Sequence, residues 1–232
     1  MKIDIITIFP NLFKGFLTES LLARAQKKRL IKIKAHNLRK WTKDKHKTVD
    51  DRPYGGGAGM VLKIEPIWKS VQSLKSKFKN QNAKFGKASR SSRSRVILLS
   101  AKGKTFTQKD ARRLFKYDQL IFICGRYEGV DERVAKYIAD EEISIGNYIL
   151  FGGEVPAIVI TEAVARLVPG VIAKEDSIKF ESFSDKDAKQ KEYAQYTRPE
   201  NFVINGKKLK VPKILLSGDH KKIKEWMESC KK

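Results

Sequence analysis

Leu120-Ile121-Phe122-Ile123-Cys124-Gly125-Arg126-Tyr127-Glu128-Gly129 is the stretch on which the fold turns. Five apolar residues run without a polar break, so the strand they form is buried on both faces. Gly125 and Gly129 then end it in a loop. Upstream, Val96-Ile97-Leu98-Leu99 reads the same way and runs into Ser100-Ala101-Lys102-Gly103. Downstream, Glu142-Ile143-Ser144-Ile145 is a third strand, followed by Gly146-Asn147-Tyr148-Ile149-Leu150-Phe151-Gly152-Gly153. Helical patterns separate them: Thr107 to Phe115, opened by a capping box with Asp110, Asp131 to Ile138, and Pro156 to Val168, stopped by Pro169-Gly170. Fully apolar strands alternating with helices make an α/β protein with a parallel sheet covered on both sides.

Nearer the N-terminus, Ile3 to Ile8 is a buried strand stopped by Pro10. A short helix around Leu21, Leu22 and Ala25 follows, and then a half-buried strand over residues 31–35. Residues 37–60 form a polar loop that ends in Gly55-Gly56-Gly57-Ala58-Gly59, and Ile64, Ile67, Trp68, Val71 and Leu74 restore a helix. Residues 75–95 hold eight Lys and Arg and no acid. Two readings fit this basic insert, a mobile solvated loop or an RNA contact. Residues 173–195 read as a charged, flexible linker. Residues 196–232 read as a small helical unit.

The whole chain has 232 residues with 49 Lys+Arg against 26 Asp+Glu, a formal charge of +23. That much like charge works against the compact state and points to a polyanionic partner. Hydrophobic residues make up 41%, enough for a core. The two cysteines make neither a disulfide framework nor a zinc site, and no apolar run approaches the roughly 18 residues of a membrane span. A cytoplasmic protein is expected. His36, His46 and His220 are too scattered for a metal set and suit surface or hydrogen-bonding roles. Gly103-Lys104 lacks the earlier glycine of a phosphate-binding loop, and no G-x-G-x-x-G follows the first strand, so those nucleotide sites are excluded. Cys124 ends a buried strand and reads as a small hydrophobe. Ligands of open α/β sheets bind beyond the carboxyl ends of the strands, where three glycine-bearing loops gather here.

Longer motifs carry a resemblance. Thr48-Val49-Asp50-Asp51-Arg52-Pro53-Tyr54-Gly55-Gly56-Gly57-Ala58-Gly59-Met60, Cys124 to Arg133, Ser144 to Leu150 with Gly152-Gly153-Glu154 and Pro156-Ala157, Tyr196-Thr197-Arg198-Pro199, and Leu215 to His220 stand in one order. The chain thereby resembles the bacterial tRNA (guanine-N1)-methyltransferases, which methylate the guanosine immediately 3′ of the anticodon. The resemblance implies a SPOUT-type catalytic domain over residues 1–172 with a C-terminal trefoil knot, and a tRNA-gripping domain over residues 196–232. It implies S-adenosylmethionine as methyl donor, tRNA as substrate, and a homodimer with shared active sites. Magnesium is associated with the family's reaction, though no carboxylate cage for it is evident here.

By the same resemblance, the methyl donor is held by Leu99, Ser100 and Ala101, by Gly125, Tyr127, Glu128 and Gly129, and by Ser144, Ile145, Gly146, Asn147, Tyr148, Ile149, Leu150, Gly152, Gly153 and Pro156. The tRNA residues are His46, Asp50, Arg52, Gly59, Ser177 and Arg198. For Asp50 and Arg52 the bland alternative is an ion pair bracing the glycine turn. Arg166 matches the family's catalytic arginine. Glu181 stands where the family's general base is an Asp, and Asp176 is its rival. Asn147 and Ala101 depart from the family's usual Asp and Pro. Two other readings stay open at this point: a knotted methyltransferase of another RNA, and an RNA-binding protein without turnover.

Overall fold

The computed structural model describes residues 1–84, 93–173, 181–183 and 191–230. The N-terminal unit, Met1–Ala173, is built on a five-stranded parallel sheet. Its strands are β1 (Lys2–Thr7), β2 (Lys32–Asn37), β5 (Ser94–Thr105), β6 (Gln119–Cys124) and β7 (Glu141–Ser144), in the order β2-β1-β6-β5-β7. A two-stranded hairpin of β3 (Asp50–Asp51) and β4 (Val61–Leu62) stands apart from that sheet.

Side-chain alternation sends the two halves of each strand to opposite faces. Ile3, Ile5, Ile97, Leu99, Leu120 and Phe122 pack on one side. There they meet α1 (Lys14–Thr18), α2 (Ser20–Lys27), α4 (Gln108–Leu114) and α6 (Glu154–Ala165). Ile6, Val96, Leu98, Ile121 and Ile123 face the other way, against α3 (Ile64–Lys84) and α5 (Glu132–Tyr137). Burial on both faces is why the strands read as unbroken apolar runs.

One charged residue lies within the second layer. Asp4 is 0% exposed. Its carboxylate meets His36 Nε2 at 2.8 Å, accepts from Gln119 Nε2 at 2.8 Å and pairs with Lys2 at 3.0 Å. Burial works against its charge, yet the hydrogen bonds from His36, Gln119 and Lys2 outweigh that and hold the carboxyl below the ordinary range.

Three expectations are corrected. First, α3 runs on to Lys84, so the first half of the basic insert is helical. Phe78, four residues after Leu74, is buried and continues the apolar stripe. Residues 94 and 95 open β5, and 85–92 lie outside the described residues. Second, β5 is twelve residues long, with a register shift between Leu99 and Lys104 against β7.

The third correction concerns the C-terminal unit, Lys174–Lys232. It is not purely helical. It carries an antiparallel hairpin, β8 (Asn201–Ile204) with β9 (Lys207–Lys210), then a 3-10 turn over Lys213–Leu216 and helix α7 (His220–Ser229). Asn205 (φ 50°) and Gly206 (φ 76°) make its turn, the left-handed pair that a two-residue hairpin requires. Most of the expected linker, 174–180 and 184–190, lies outside the described residues.

Candidate active site

Strands β6, β5 and β7 are neighbours, so the loops at their carboxyl ends gather at one edge of the sheet. Each is shaped by its own sequence. After Leu99, β5 bulges, and Lys102 N donates to Ser100 Oγ at 3.1 Å. After Cys124, the chain turns back at once: Gly129 N donates to Arg126 O, with Tyr127 in the left-handed region at φ 60°. After Ser144, that residue's hydroxyl donates to Gly146 O at 3.0 Å, and Tyr148 Oη donates to Ile145 O at 3.2 Å.

Gly153 joins the second loop to the third. Its N donates to Gly125 O at 2.9 Å. A Cβ there would stand 2.7 Å from Cys124 Cα, so the close approach admits only glycine.

The loops enclose a cavity of about 350 Å³, within the span of small-molecule pockets. Leu99, Ser100 and Ala101 line one wall, and Gly125, Tyr127, Glu128 and Gly129 a second. Ser144, Ile145, Gly146, Tyr148, Ile149 and Leu150 line a third, with Gly152, Gly153 and Pro156 beneath. Of the residues expected around the methyl donor, Asn147 alone is outside this lining; it is exposed. The lining also holds Lys102, Arg126, Glu132 and Glu142, which the sequence reading did not single out.

Those additions set the charge of the cavity. Glu128, Glu132 and Glu142 face it against Lys102 and Arg126. Lys102 is engaged with Glu132 at 3.6 Å. On a chain carrying +23, a pocket with more carboxylates than cations suits a ligand bearing positive charge. Cys124 takes no chemical role: burial pushes its thiol well up, with Glu154 adding to the effect, so the thiolate is withheld.

The glycine-rich segment 52–60 docks onto the second loop. Glu128 N donates to Met60 O at 3.0 Å, and Leu62 N donates to Gly129 O at 3.0 Å. Gly59 (φ 84°) packs so close to Glu128 that a Cβ would meet its side chain at 2.5 Å. Of the expected tRNA residues, Gly59 thus sits at the cavity's rim. Asp50 lies half-buried in β3, and Arg52 is exposed beyond it. Among the described residues no ion pair joins them; Arg52 N donates to Asp51 Oδ1 at 2.9 Å instead. His46 is exposed in a turn, Arg198 is exposed in the C-terminal unit, and Ser177 and Asp176 lie outside the described residues. Arg166 caps α6, half-buried. Glu181, also half-buried, belongs to the C-terminal unit.

Comparisons with known proteins identify the family. The family model for the tRNA (guanine-1)-methyltransferase TrmD matches residues 1–232. A tRNA (guanine-N(1)-)-methyltransferase of Dictyoglomus turgidum is 53% identical over 226 residues, covering 97% of this chain and 83% of the relative. The protein of the same name from Carboxydothermus hydrogenoformans is 52% identical, covering 97% and 81%. The one from Bacillus subtilis is 46% identical, covering 97% and 85%. Whole-length matches at this identity, laid over a glycine-walled pocket at the carboxyl edge of a parallel sheet, place the chain in the tRNA (guanine-1)-methyltransferase family.

Proposed function

We infer that this protein transfers a methyl group from S-adenosylmethionine to N1 of guanosine 37, immediately 3′ of the tRNA anticodon. Family membership over the whole chain carries the reading. The pocket's chemistry supports the donor: glycine loops bring backbone donors and acceptors close, apolar side chains suit a purine, and the carboxylate excess suits a cation. When bound there, the donor supplies a methyl group already activated on a sulfonium.

What remains is proton and charge management by side chains. Guanine N1 carries a proton and attacks poorly until it leaves. Glu181 is the general base that takes it, supplied by the second subunit. Arg166 stabilises the negative charge that grows on O6. Asp50, Arg52, His46, Gly59, Ser177 and Arg198 hold the tRNA. The remaining gain comes from aligning two bound reactants.

The finer features of the family belong to this reading. Close passage of Gly152 and Gly153 beside Gly125 and Arg126 supports the trefoil knot. An apolar ridge supports the homodimer: Ile149 is 83% and Phe151 93% exposed, with Val155 and Val159 beside them on α6. Among the described residues no helix is long and apolar enough to cross a membrane. The proposed setting is the cytoplasm, where tRNA is processed. The test is transfer from labelled S-adenosylmethionine to tRNA transcripts carrying G or A after the anticodon. Label entering the G transcript alone supports the reading. Equal label in both, or none in either, overturns it.

A further inference from the structure

We propose that Glu154, held by Arg126 and Thr7, is a positioning residue that sets the shape of the methyl-donor pocket without entering it. The proposal rests on the pocket reading given above. Glu154 is the first residue of α6 and only 1% exposed. Its Oε1 accepts from Thr7 Oγ1 at 2.6 Å, at the end of β1. Its Oε2 accepts from Arg126 Nε at 2.9 Å, inside the second pocket loop. Thr7 Oγ1 is fixed in turn by Phe9 N at 2.9 Å, and the Arg126 guanidinium lies over the Phe9 ring at 4.8 Å. A single buried carboxylate therefore ties three segments that are distant in sequence.

Its location gives the tie a functional meaning. Arg126 pairs through its backbone with both Gly129 and Gly152, so it links the second loop to the third. It also precedes Tyr127, a bulky residue held at φ 60°. Such a conformation persists only where the surroundings over-determine it. The space is closed around the tie as well: a Cβ on Gly152 would meet Arg126 Nε at 2.5 Å and Glu154 Oε2 at 2.8 Å. Loosening Glu154 thus frees Arg126, and with it the loop that carries Tyr127 and Glu128 to the cavity.

The experiment measures S-adenosylmethionine binding by calorimetry for the full-length parent, Glu154→Gln, Arg126→Lys and the double variant, with thermal melts alongside. Each single change should weaken the donor roughly tenfold, below the hundredfold that a full ångström of misplacement can cost. The double variant should lose no more than the worse single one, because one tie is broken once. For Glu154→Gln, whose side chain lies outside the cavity, KM for tRNA and the single-turnover rate at saturating donor should stay within about twofold of the parent. Folded variants that bind the donor like the parent overturn the proposal, and so do losses that multiply in the double variant. If the charged-pair variants do not fold, Thr7→Val decides: weaker donor binding supports the tie, and parent-like binding overturns it. A parent that fails to bind S-adenosylmethionine overturns the pocket reading itself, whereas a binding parent with unaffected variants overturns the tie alone.

Discussion

Adding one methyl group at Gly153 should do far more damage than adding one at Gly125, although both glycines line the same cavity. Gly153 has ordinary helical dihedrals, φ −79° and ψ −3°, so alanine there carries no backbone penalty. The obstacle is space. Its Cβ would lie 2.7 Å from Cys124 Cα, about 0.7 Å inside the 3.4 Å where ordinary contact begins. The neighbour is backbone of a buried central strand, which cannot swing aside as a side chain does. Loop and strand must separate by most of that distance, which strains the Gly153–Gly125 hydrogen bond. Overpacking of this kind costs about 1–3 kcal/mol. In a domain of this size that lowers Tm by roughly 2–4 °C for each kcal/mol. Displacement of the loop should also reduce kcat/KM for the methyl donor by roughly ten- to a hundredfold. At Gly125 the added Cβ meets Val130 Cγ1 at 3.6 Å and Leu99 O at 3.7 Å, ordinary contacts. Gly125→Ala should therefore keep the parent's Tm within about 1 °C. Gly125→Leu should fold and lose the donor, because its longer side chain enters the cavity. Calorimetric titration with S-adenosylmethionine and a melt on each variant decide the matter. A Gly153→Ala protein with parental Tm and donor affinity would refute the steric argument.

Asp4→Ala strips the partner from Lys2, His36 and Gln119 in a buried site and should cost on the order of 3–5 kcal/mol in urea unfolding. Because the folded state depresses the Asp4 carboxyl, its stabilisation is complete above the ordinary aspartate range and drains away as pH falls through the depressed value. Urea midpoints followed from about pH 7 to about pH 3 should therefore fall less steeply in Asp4→Asn than in the parent; equal slopes would contradict the assignment. Phe151→Asp, which puts a charge on the exposed apolar ridge, should turn a dimer into a monomer in sedimentation at micromolar concentration. A dimer unmoved by it would place the interface elsewhere. If the basic segment touches RNA, neutralising Lys87, Arg90 and Arg93 should lower the salt dependence of tRNA binding by up to about one in slope for each phosphate that loses its cation. An unchanged slope would make these residues spectators.

The parts of the structure that local sequence controls were the parts it made legible. Leu120–Cys124 and Val96–Leu99 announce themselves because a strand covered on both faces has no polar positions. Their adjacency then brings three glycine loops to one edge. Two local signals stand in the sequence beside these. Phe78 continues the stripe of Ile67, Val71 and Leu74, which extends α3 into the basic stretch. Asn205-Gly206 is a hairpin turn between two short strands, hidden by the expectation of a helical unit. The ion pair of Arg126 with Glu154 was beyond reach for a different reason. Twenty-eight residues separate the partners, and only the packing of α6 under the second loop brings them together. The acidic balance of the pocket was likewise unreadable, since Glu132 and Glu142 meet Glu128 only in three dimensions.

Primer extension on methylated tRNA reads out the modified atom itself. A methyl group on N1 blocks the Watson–Crick edge of guanine, so reverse transcription must halt there. With the full-length protein and S-adenosylmethionine, one new stop is expected, at the guanosine immediately 3′ of the anticodon. The stop should vanish with Glu181→Gln, while donor binding by that variant is retained. A stop at another nucleotide, or no stop despite incorporated label, would contradict N1 of that guanosine as the target. An undiminished stop with Glu181→Gln, lost instead with Asp176→Asn, would move the general base to Asp176.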